Sequence, residues 1–268
     1  MSSPYFQTDK LPIHITEQQA PSLSCNACRN GKNLDFNFSM AFQPLVDLEK
    51  AEVYGYESLV RGLNGESAFE VLKKVTTENV YRFDQACRVK SIALAASAKL
   101  DKNLSINFMP GAVYKPEHCI RTTLAAARDY GFPLDKISFE IVETDHVADL
   151  PHLYNIIESY KSMGFRTALD DFGSKHANLD WLVSLQPDII KLDITLIRDI
   201  DSSKRKQLIV SHVSQLCKDL GITVLAEGVE TRAERDRLIE MGIFKQQGYY
   251  FGKPMFETFE QVDSVLLD

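Results

Sequence analysis

Short β-branched or aromatic runs alternate with longer helical stretches from residue 36 onward. This alternation is typical of repeated βα units arranged around a mostly parallel sheet. Eight strands with helices outside them predict a closed barrel. The eight runs with the length and composition of strands lie at residues 36–47, 51–61, 104–109, 136–143, 166–172, 188–193, 222–228 and 244–251.

The stretches between these runs support the same architecture. Several of them end in glycine, which favours a helix C-terminus. The first two strand candidates are separated by only a few residues around Glu49 and Lys50, so we expect them to form an antiparallel hairpin. The predicted fold class is therefore α/β, a modified TIM-type (β/α)8 barrel with an antiparallel strand among otherwise parallel strands. The predicted helices include residues 83–100, 151–164, 202–221 and 231–242.

The first 34 residues differ from the rest of the chain. They are polar, contain Pro4, Pro12 and Pro21, and show no sustained helical or strand period. We interpret residues 1–34 as an N-terminal arm or appendage and residues 35–268 as the barrel. A chain of 268 residues with 44% hydrophobic content is long enough to bury one substantial core.

Charge and cysteine content limit the function classes. The net charge of -7 argues against general electrostatic binding to a nucleic acid polymer or an anionic membrane. No run approaches the roughly 18–20 apolar residues of a membrane span, and the N-terminus lacks the order of a signal peptide. Five scattered cysteines suit reduced thiols, so we expect a cytoplasmic protein. Cys25 and Cys28 form a CxxC without a second pair, which indicates ordinary thiols rather than half of a zinc site.

Polar side chains occur at nearly every predicted strand end. Active sites of TIM-type barrels form at the C-terminal ends of the strands, so charged residues there are informative. Each one alone is explained equally well by a solvated strand end or a turn. Together, acidic side chains from five strands and one asparagine would repel each other strongly in one pocket unless cations neutralised them. The residues concerned are Glu57, Asn107, Glu140, Asp170, Asp171, Lys191, Asp193, Glu227 and Gln247.

The predicted ligand set contains oxygen donors only. Glu, Asp and Asn ligands without His or Cys select hard cations such as Mg²⁺ or Mn²⁺ over zinc. The six histidines form no HxH or HExxH pattern, which argues against a zinc hydrolase. Adjacent carboxylates at a strand end, as in Asp170 and Asp171, are able to address two ions, the arrangement that two-metal phosphoryl hydrolysis requires.

Eight motifs in a fixed order resemble the EAL-domain cyclic-di-GMP phosphodiesterases, bacterial enzymes that open the cyclic dinucleotide to linear pGpG. The similarity spans roughly residues 36–256. In chain order the motifs are FQPLVDL, ESLVR in place of the EALLR or EALVR of the family, INFMP, FEIVE, ALDDFG, PDIIKLD, LAEGVET and QGYYFGKP.

The resemblance implies a role for each matching residue. Glu57, Asn107, Glu140 and Asp170 would bind the first of two metal ions, Asp170 would be shared, and Asp171 would hold the second ion, with Asp193 and Glu230 organising that second site. Lys191 would orient or activate the attacking water, and Glu227 would act as general base or second-metal partner. Arg61 would contact a phosphate, Gln247 a guanine, and Glu143 would brace the loop after the fifth strand. A homodimer is also expected from the resemblance.

Two departures from the family pattern leave an alternative open. Ser58 replaces the alanine of the EAL motif, a small change that metal binding should survive. The loop after the fifth strand reads DDFGSKHANL, with Lys175 and His176 where active relatives commonly have glycine and an aromatic residue. Lysine at a glycine position strains a turn that needs positive φ. The alternative function is therefore a weakly active or inactive receptor or interaction module. A metal-dependent lyase of the enolase type is a remote third reading, which LAEGVET argues against.

Overall fold

This computed structural model of the chain describes residues 34–113, 115–141, 150–174 and 179–267. All nine strands of these ranges belong to one mixed sheet. Its strands are β1 (Phe38–Asp47), β2 (Glu52–Gly62), β3 (Asn103–Phe108), β4 (Ile137–Ile141), β5 (Arg166–Phe172), β6 (Ile189–Leu192), β7 (Thr223–Ala226), β8 (Lys245–Gln246) and β9 (Met255–Phe256).

The sheet closes on itself as a barrel. Strands β2 to β8 pair in chain order and in parallel, β8 pairs with β1, and β1 returns to β2. Strand β1 is antiparallel to both of its barrel neighbours, and the short β9 pairs with the edge of β1. The predicted fold class, including the single antiparallel strand and the hairpin, is confirmed.

Helices cover the outside of the barrel. Two of them begin with a capping box, formed by Ser67 with Glu70 and by Thr231 with Glu234. No helix in the described ranges combines the length and apolar composition that crossing a bilayer requires. The helices are α1 (Ala68–Leu72), α2 (Val80–Ser97), α3 (Pro116–Cys119), α4 (Arg121–Tyr130), α5 (Leu150–Ser162), α6 (Leu179–Leu185), α7 (Ile194–Ile197), α8 (Lys204–Asp219), α9 (Arg232–Glu240) and α10 (Ser264–Leu267), with short 3₁₀ turns at Pro110–Ala112 and Leu134–Lys136.

Aromatic side chains fill much of the space between the sheet and the helices. Phe108 of β3 and Phe139 of β4 lie 5.9 Å apart in an edge-to-face arrangement. Tyr160 of α5 packs against both rings, at 5.6 and 4.9 Å. All three residues are buried. Since successive strand residues point to opposite faces, Asn107 and Glu140, which neighbour these rings, point into the barrel.

One predicted strand is much shorter than expected. Residues 244–251 were predicted as strand, but β8 contains only Lys245 and Gln246. Gln247 N still donates to Ala226 O at the end of β7, but the following residues bond to the loop after β7, because Val229 N donates to Gln247 O and Tyr250 N donates to Val229 O. Several residues singled out from the sequence lie outside the described ranges. They are nearly all of the 1–34 arm with Cys25 and Cys28, the predicted bracing residue Glu143, and the altered loop positions Lys175 and His176. The arm and domain boundary stay predictions.

Candidate active site

The polar strand-end residues meet at the C-terminal end of the barrel, here called the mouth. Strand register brings Gln43 opposite Glu57 and Asn107 opposite Glu140. The amide of Asn107 donates a 2.9 Å hydrogen bond to Glu57 Oε1. Glu57 and Glu140 are almost completely buried. The barrel therefore places carboxylates of β2 and β4 on either side of the β3 amide.

Lys191 of β6 lies at the centre of this group. Its Nζ atom is 2.6 Å from Glu227 Oε1, 2.7 Å from Glu140 Oε2, 3.1 Å from Asp170 Oδ1 and 3.3 Å from Glu57 Oε2. The lysine side chain is 1% exposed. One ammonium thus neutralises part of the charge of four carboxylates from four different strands or strand ends. We call Glu57, Glu140, Asp170, Asp171, Lys191 and Glu227 the mouth cluster.

The adjacent aspartates are explained by an irregularity at the end of β5. Pairing of β5 with β6 is interrupted between Leu169 and Phe172. Within this break Asp171 has a φ of 51°, a left-handed conformation that Asp adopts more readily than most residues. Because the backbone leaves the regular pleat there, both neighbouring carboxylates face the mouth. Carboxylate oxygens of Asp170, Asp171 and Glu227 lie within 4.8 Å of one another.

Burial and mutual repulsion shift the protonation of the mouth cluster. Burial, and then the charge of Glu57, raise the pKa of Glu140 well above its usual value. Burial and the charge of Asp170 act in the same direction on Glu227, whose pKa is also raised well above its usual value. Burial together with Asp170 and Asp193 raises the pKa of Asp171 to about 6. These three carboxyl groups therefore tend to hold protons when no cation offsets their charge.

Lys191 and Glu57 are the groups whose charged forms the site favours. Burial disfavours the ammonium, but the surrounding carboxylates, with Asp170 first, outweigh it and raise the pKa of Lys191 well above its usual value. Burial likewise opposes ionisation of Glu57, yet Lys191 and hydrogen bonds from Gln247 and Asn107 lower the pKa of Glu57. The mouth cluster thus contains one ion pair, Lys191 with Glu57, whose charged forms are favoured, among carboxylates that outnumber the cations available to neutralise them.

These residues fit a divalent cation. The donors are carboxylate and amide oxygens, the set that hard cations prefer. Asp170 Oδ1 is buried and accepts no hydrogen bond from any described residue, although the Lys191 ammonium is nearby. The Asp170, Asp171 and Glu227 oxygens converge closely enough to hold one ion. Replacing protons by a cation would relieve the repulsion that raises the carboxylate pKa values.

Two residues predicted to organise a second ion have other partners as well. Asp193 Oδ1 accepts a 2.8 Å hydrogen bond from Thr195 N and thereby caps α7, while the Asp193 charge contributes to the raised pKa of Asp171. Glu230 forms a two-point ion pair with Arg198, at 2.5 and 2.6 Å. Both acids line the same 300 Å³ cavity as Asp171 and Glu227. Their ligand roles stay predictions.

The two predicted substrate contacts differ in placement. Gln247 is buried, and its Nε2 donates hydrogen bonds of 2.7 Å to Glu57 Oε2 and 3.1 Å to Gln43 Oε1. Its own Oε1 accepts no hydrogen bond from any described residue. That free acceptor suits an N–H group of a base. Arg61 donates 2.7 Å to its neighbour's carbonyl, Val60 O. The half-exposed ring of Tyr249 also lines the mouth cavity, although the sequence reasoning did not single it out.

Sequence reasoning also missed polar residues that support the ligands. Gln43 lines the cavity, and the sequence signal was a polar side chain within the apolar run MAFQPLV of β1. Ser105 donates to Glu140 from the neighbouring strand. Ser58 points away from the mouth, where its hydroxyl bonds the Ser91 hydroxyl of α2 at 2.7 Å, so the departure from alanine is satisfied within the helix layer.

Comparison with known proteins identifies relatives with this architecture. A standalone EAL protein from Vibrio cholerae O395, solved with c-di-GMP bound, is 50% identical, with a TM-score of 0.86 over 88% of this chain and 100% of that chain. Klebsiella pneumoniae BlrP1, solved with manganese and cyclic-di-GMP, is 34% identical with a TM-score of 0.77 over 84% of this chain and 58% of that chain. The cyclic di-GMP phosphodiesterase RocR of Pseudomonas aeruginosa is 31% identical over 92% of this chain and 64% of its own length.

The chain therefore spans less than two-thirds of RocR and of BlrP1, but the whole of the Vibrio protein. The family model described as EAL domain matches residues 26–254, which is most of the sequence. The family match agrees with the closed barrel, its one antiparallel strand and the mouth cluster. The chain therefore belongs to the EAL domain family.

Proposed function

We propose that this chain hydrolyses cyclic-di-GMP to linear pGpG with two bound divalent cations, Mg²⁺ or Mn²⁺. The observation that carries the proposal is the convergence of the mouth cluster, in which one buried ammonium faces more carboxylates than it can neutralise. The relatives named above support the substrate, because one is a cyclic di-GMP phosphodiesterase and two were solved with the dinucleotide.

We assign the proposed ligands from the resemblance to the EAL family, and their convergence in the mouth supports the assignment. Glu57, Asn107, Glu140 and Asp170 would hold one ion, and Asp170 with Asp171 would hold the other, assisted by Asp193 and Glu230. When bound, such cations offset the charge of the phosphodiester and increase the acidity of the attacking water.

The chain's own residues supply the remaining functions. Lys191 has three N–H donors, and once cations engage the surrounding carboxylates these donors are available to the attacking water or a phosphate oxygen. Glu227, whose carboxylate lies beside those of Asp170 and Asp171, would accept the proton of that water. The water oxygen bonds to phosphorus, the bond to the 3′ oxygen breaks, and that oxygen takes up a proton from solvent and leaves as a hydroxyl. The product carries a 5′ phosphate, as pGpG does.

Recognition of the dinucleotide is assigned to the rim of the mouth. The free Oε1 acceptor of Gln247 would bind a guanine N–H group. Arg61 would reach a phosphate after releasing the Val60 carbonyl, since a guanidinium binds phosphate through two parallel hydrogen bonds. A homodimer and a cytoplasmic setting belong to the proposal as well.

The direct test is an assay of pGpG formation from cyclic-di-GMP by chromatography, with Mn²⁺, with Mg²⁺ and with a chelator. The variant E57Q keeps the side-chain shape but removes a ligand charge, and we expect it to abolish turnover. Its matched control is E52Q at the first residue of the same strand, away from the mouth, where Glu52 pairs with the partly exposed Lys102. E52Q should retain the wild-type rate.

Two results would contradict the proposal. Equal turnover in E57Q and wild type would refute the role of the mouth cluster. Tight binding of cyclic-di-GMP without pGpG under any metal condition would support a receptor instead of an enzyme.

A further inference from the structure

A buried ion pair lies behind the mouth, between α2 and the outer face of the barrel. Asp84 and Arg88, one helical turn apart on α2, pair through Asp84 Oδ2 and Arg88 Nη2. Their side chains are 3% and 0% exposed. A buried ion pair is weak evidence for stability, because the cost of desolvating both charges is comparable to their attraction and apolar replacements are often as stable. The contacts of this pair with neighbouring strands therefore suggest that it serves to position other groups.

The Asp84 carboxylate holds the backbone at the end of β3. Asp84 Oδ1 accepts a 3.1 Å hydrogen bond from the Met109 amide. Met109 lies two residues beyond Asn107, at the point where β3 has ended and the chain turns into Pro110–Ala112. A charged acceptor on a backbone amide makes a stronger bond than a neutral one, so it restrains this turn.

The Arg88 guanidinium packs against β3 and β4 from outside the barrel. Its Cζ atom lies 5.9 Å from the Phe108 ring centroid and 5.4 Å from the Phe139 ring centroid. It also donates 3.2 Å to the Tyr160 hydroxyl of α5. Phe108 directly follows Asn107 and Phe139 directly precedes Glu140, which are paired across β3 and β4. Movement of either ring would therefore move a proposed metal ligand on the opposite face of the sheet.

We propose that Asp84 and Arg88 are a positioning pair, which fixes the ends of β3 and β4 and thereby the orientation of Asn107 and Glu140 for metal binding. The inference rests on the proposed function, since it assigns these two ligands to the first ion. Neither residue of the pair contacts the mouth. Outer residues that orient metal ligands typically contribute about 10–100-fold to metal affinity.

The test measures Mn²⁺ affinity by calorimetry on the whole protein without substrate. The double substitution D84L/R88M removes both buried charges together and keeps apolar volume, so folding should be maintained, as judged by the thermal midpoint. We expect the Mn²⁺ Kd to rise about 10-fold or more. D84N/R88M restores an oxygen acceptor for the Met109 amide but not the Arg88 contacts, so it should recover part of the affinity, a partial rescue that a purely structural role would not produce.

Two further variants keep the test decisive. Y160F removes one hydroxyl from Arg88 and leaves the ring packing, so it should fold even if D84L/R88M does not, and it should weaken Mn²⁺ binding in the same direction. D47L/K245M removes a different pair, at the opposite end of the barrel, and should leave the Mn²⁺ Kd unchanged.

The outcomes separate the two proposals. Folded D84L/R88M and Y160F proteins with wild-type Mn²⁺ affinity would overturn the positioning role alone and leave the hydrolase standing. Wild-type protein that binds no Mn²⁺ would overturn the metal site of the proposed function, and the positioning role with it.

Discussion

Replacing Lys191 by methionine removes the ammonium that lies within 3.3 Å of four carboxylates, of which Glu57 and Glu140 are buried and the other two are partly buried. Removing one partner of a buried ion pair typically costs about 3–5 kcal/mol, because the remaining charge is left uncompensated. Four carboxylates lose their partner here, but Glu140 and Glu227 already have raised pKa values and will take up protons instead of staying charged. We therefore expect the metal-free variant to lose about 3–5 kcal/mol of unfolding free energy at neutral pH.

The assay is urea denaturation in a chelator and then in Mn²⁺. A cation that binds only the folded protein stabilises it by about 2.7 kcal/mol at a concentration 100 times its Kd. Because K191M leaves more uncompensated charge in the mouth, Mn²⁺ should stabilise this variant more than wild type. The control K102M breaks a half-exposed pair with Glu52, whose loss should cost less than about 1 kcal/mol. Metal-free K191M with wild-type stability would refute the electrostatic reasoning.

Three further predictions concern residues around the site. S91A leaves the buried Ser58 hydroxyl without its partner and should lower the free energy of unfolding, measured by urea denaturation, by about 1–3 kcal/mol. The double variant S58A/S91A should recover most of this loss, and a double variant no more stable than S91A would contradict the prediction. A Cβ atom at Gly248 would lie 2.0 Å from Val229 O, so G248A should shift the adjacent rim and raise KM for cyclic-di-GMP more than it lowers kcat, and unchanged kinetics would count against it. Burial lowers the pKa of Lys90 from 10.5 to about 8, so the unfolded chain binds more protons between those pH values. Stability from this group should therefore rise with pH across that window, by about 3 kcal/mol at most, and K90M should remove the rise in denaturation curves recorded from pH 7.5 to 10.5.

The barrel was predictable because its signals are local. Strand-length runs, glycine-terminated helices and the short link near Glu49 each depend on a few neighbouring residues, and closure then follows from the number of strands. The error at residues 244–251 has a non-local cause. Gly248 packs against the Val229 backbone and the next amides bond to that loop, so a run with strand composition turns after Gln246.

The candidate site was predictable to a similar degree. Barrel topology brings strand ends together, so the polar residues at those ends had to meet once the fold was known. Side-chain partners from distant positions were not predictable in this way. Arg198 pairs with Glu230, and Ser91 satisfies Ser58, each through geometry that the spacing of residues in the chain does not contain.

The most direct test of the metal-dependent site is a crystal structure grown with Mn²⁺ and cyclic-di-GMP, with anomalous scattering recorded to locate manganese. The account predicts two anomalous peaks among the oxygens of Glu57, Asn107, Glu140, Asp170 and Asp171, with a phosphate of the dinucleotide beside them. A dinucleotide bound elsewhere, or a mouth without an anomalous peak at saturating Mn²⁺, would contradict it.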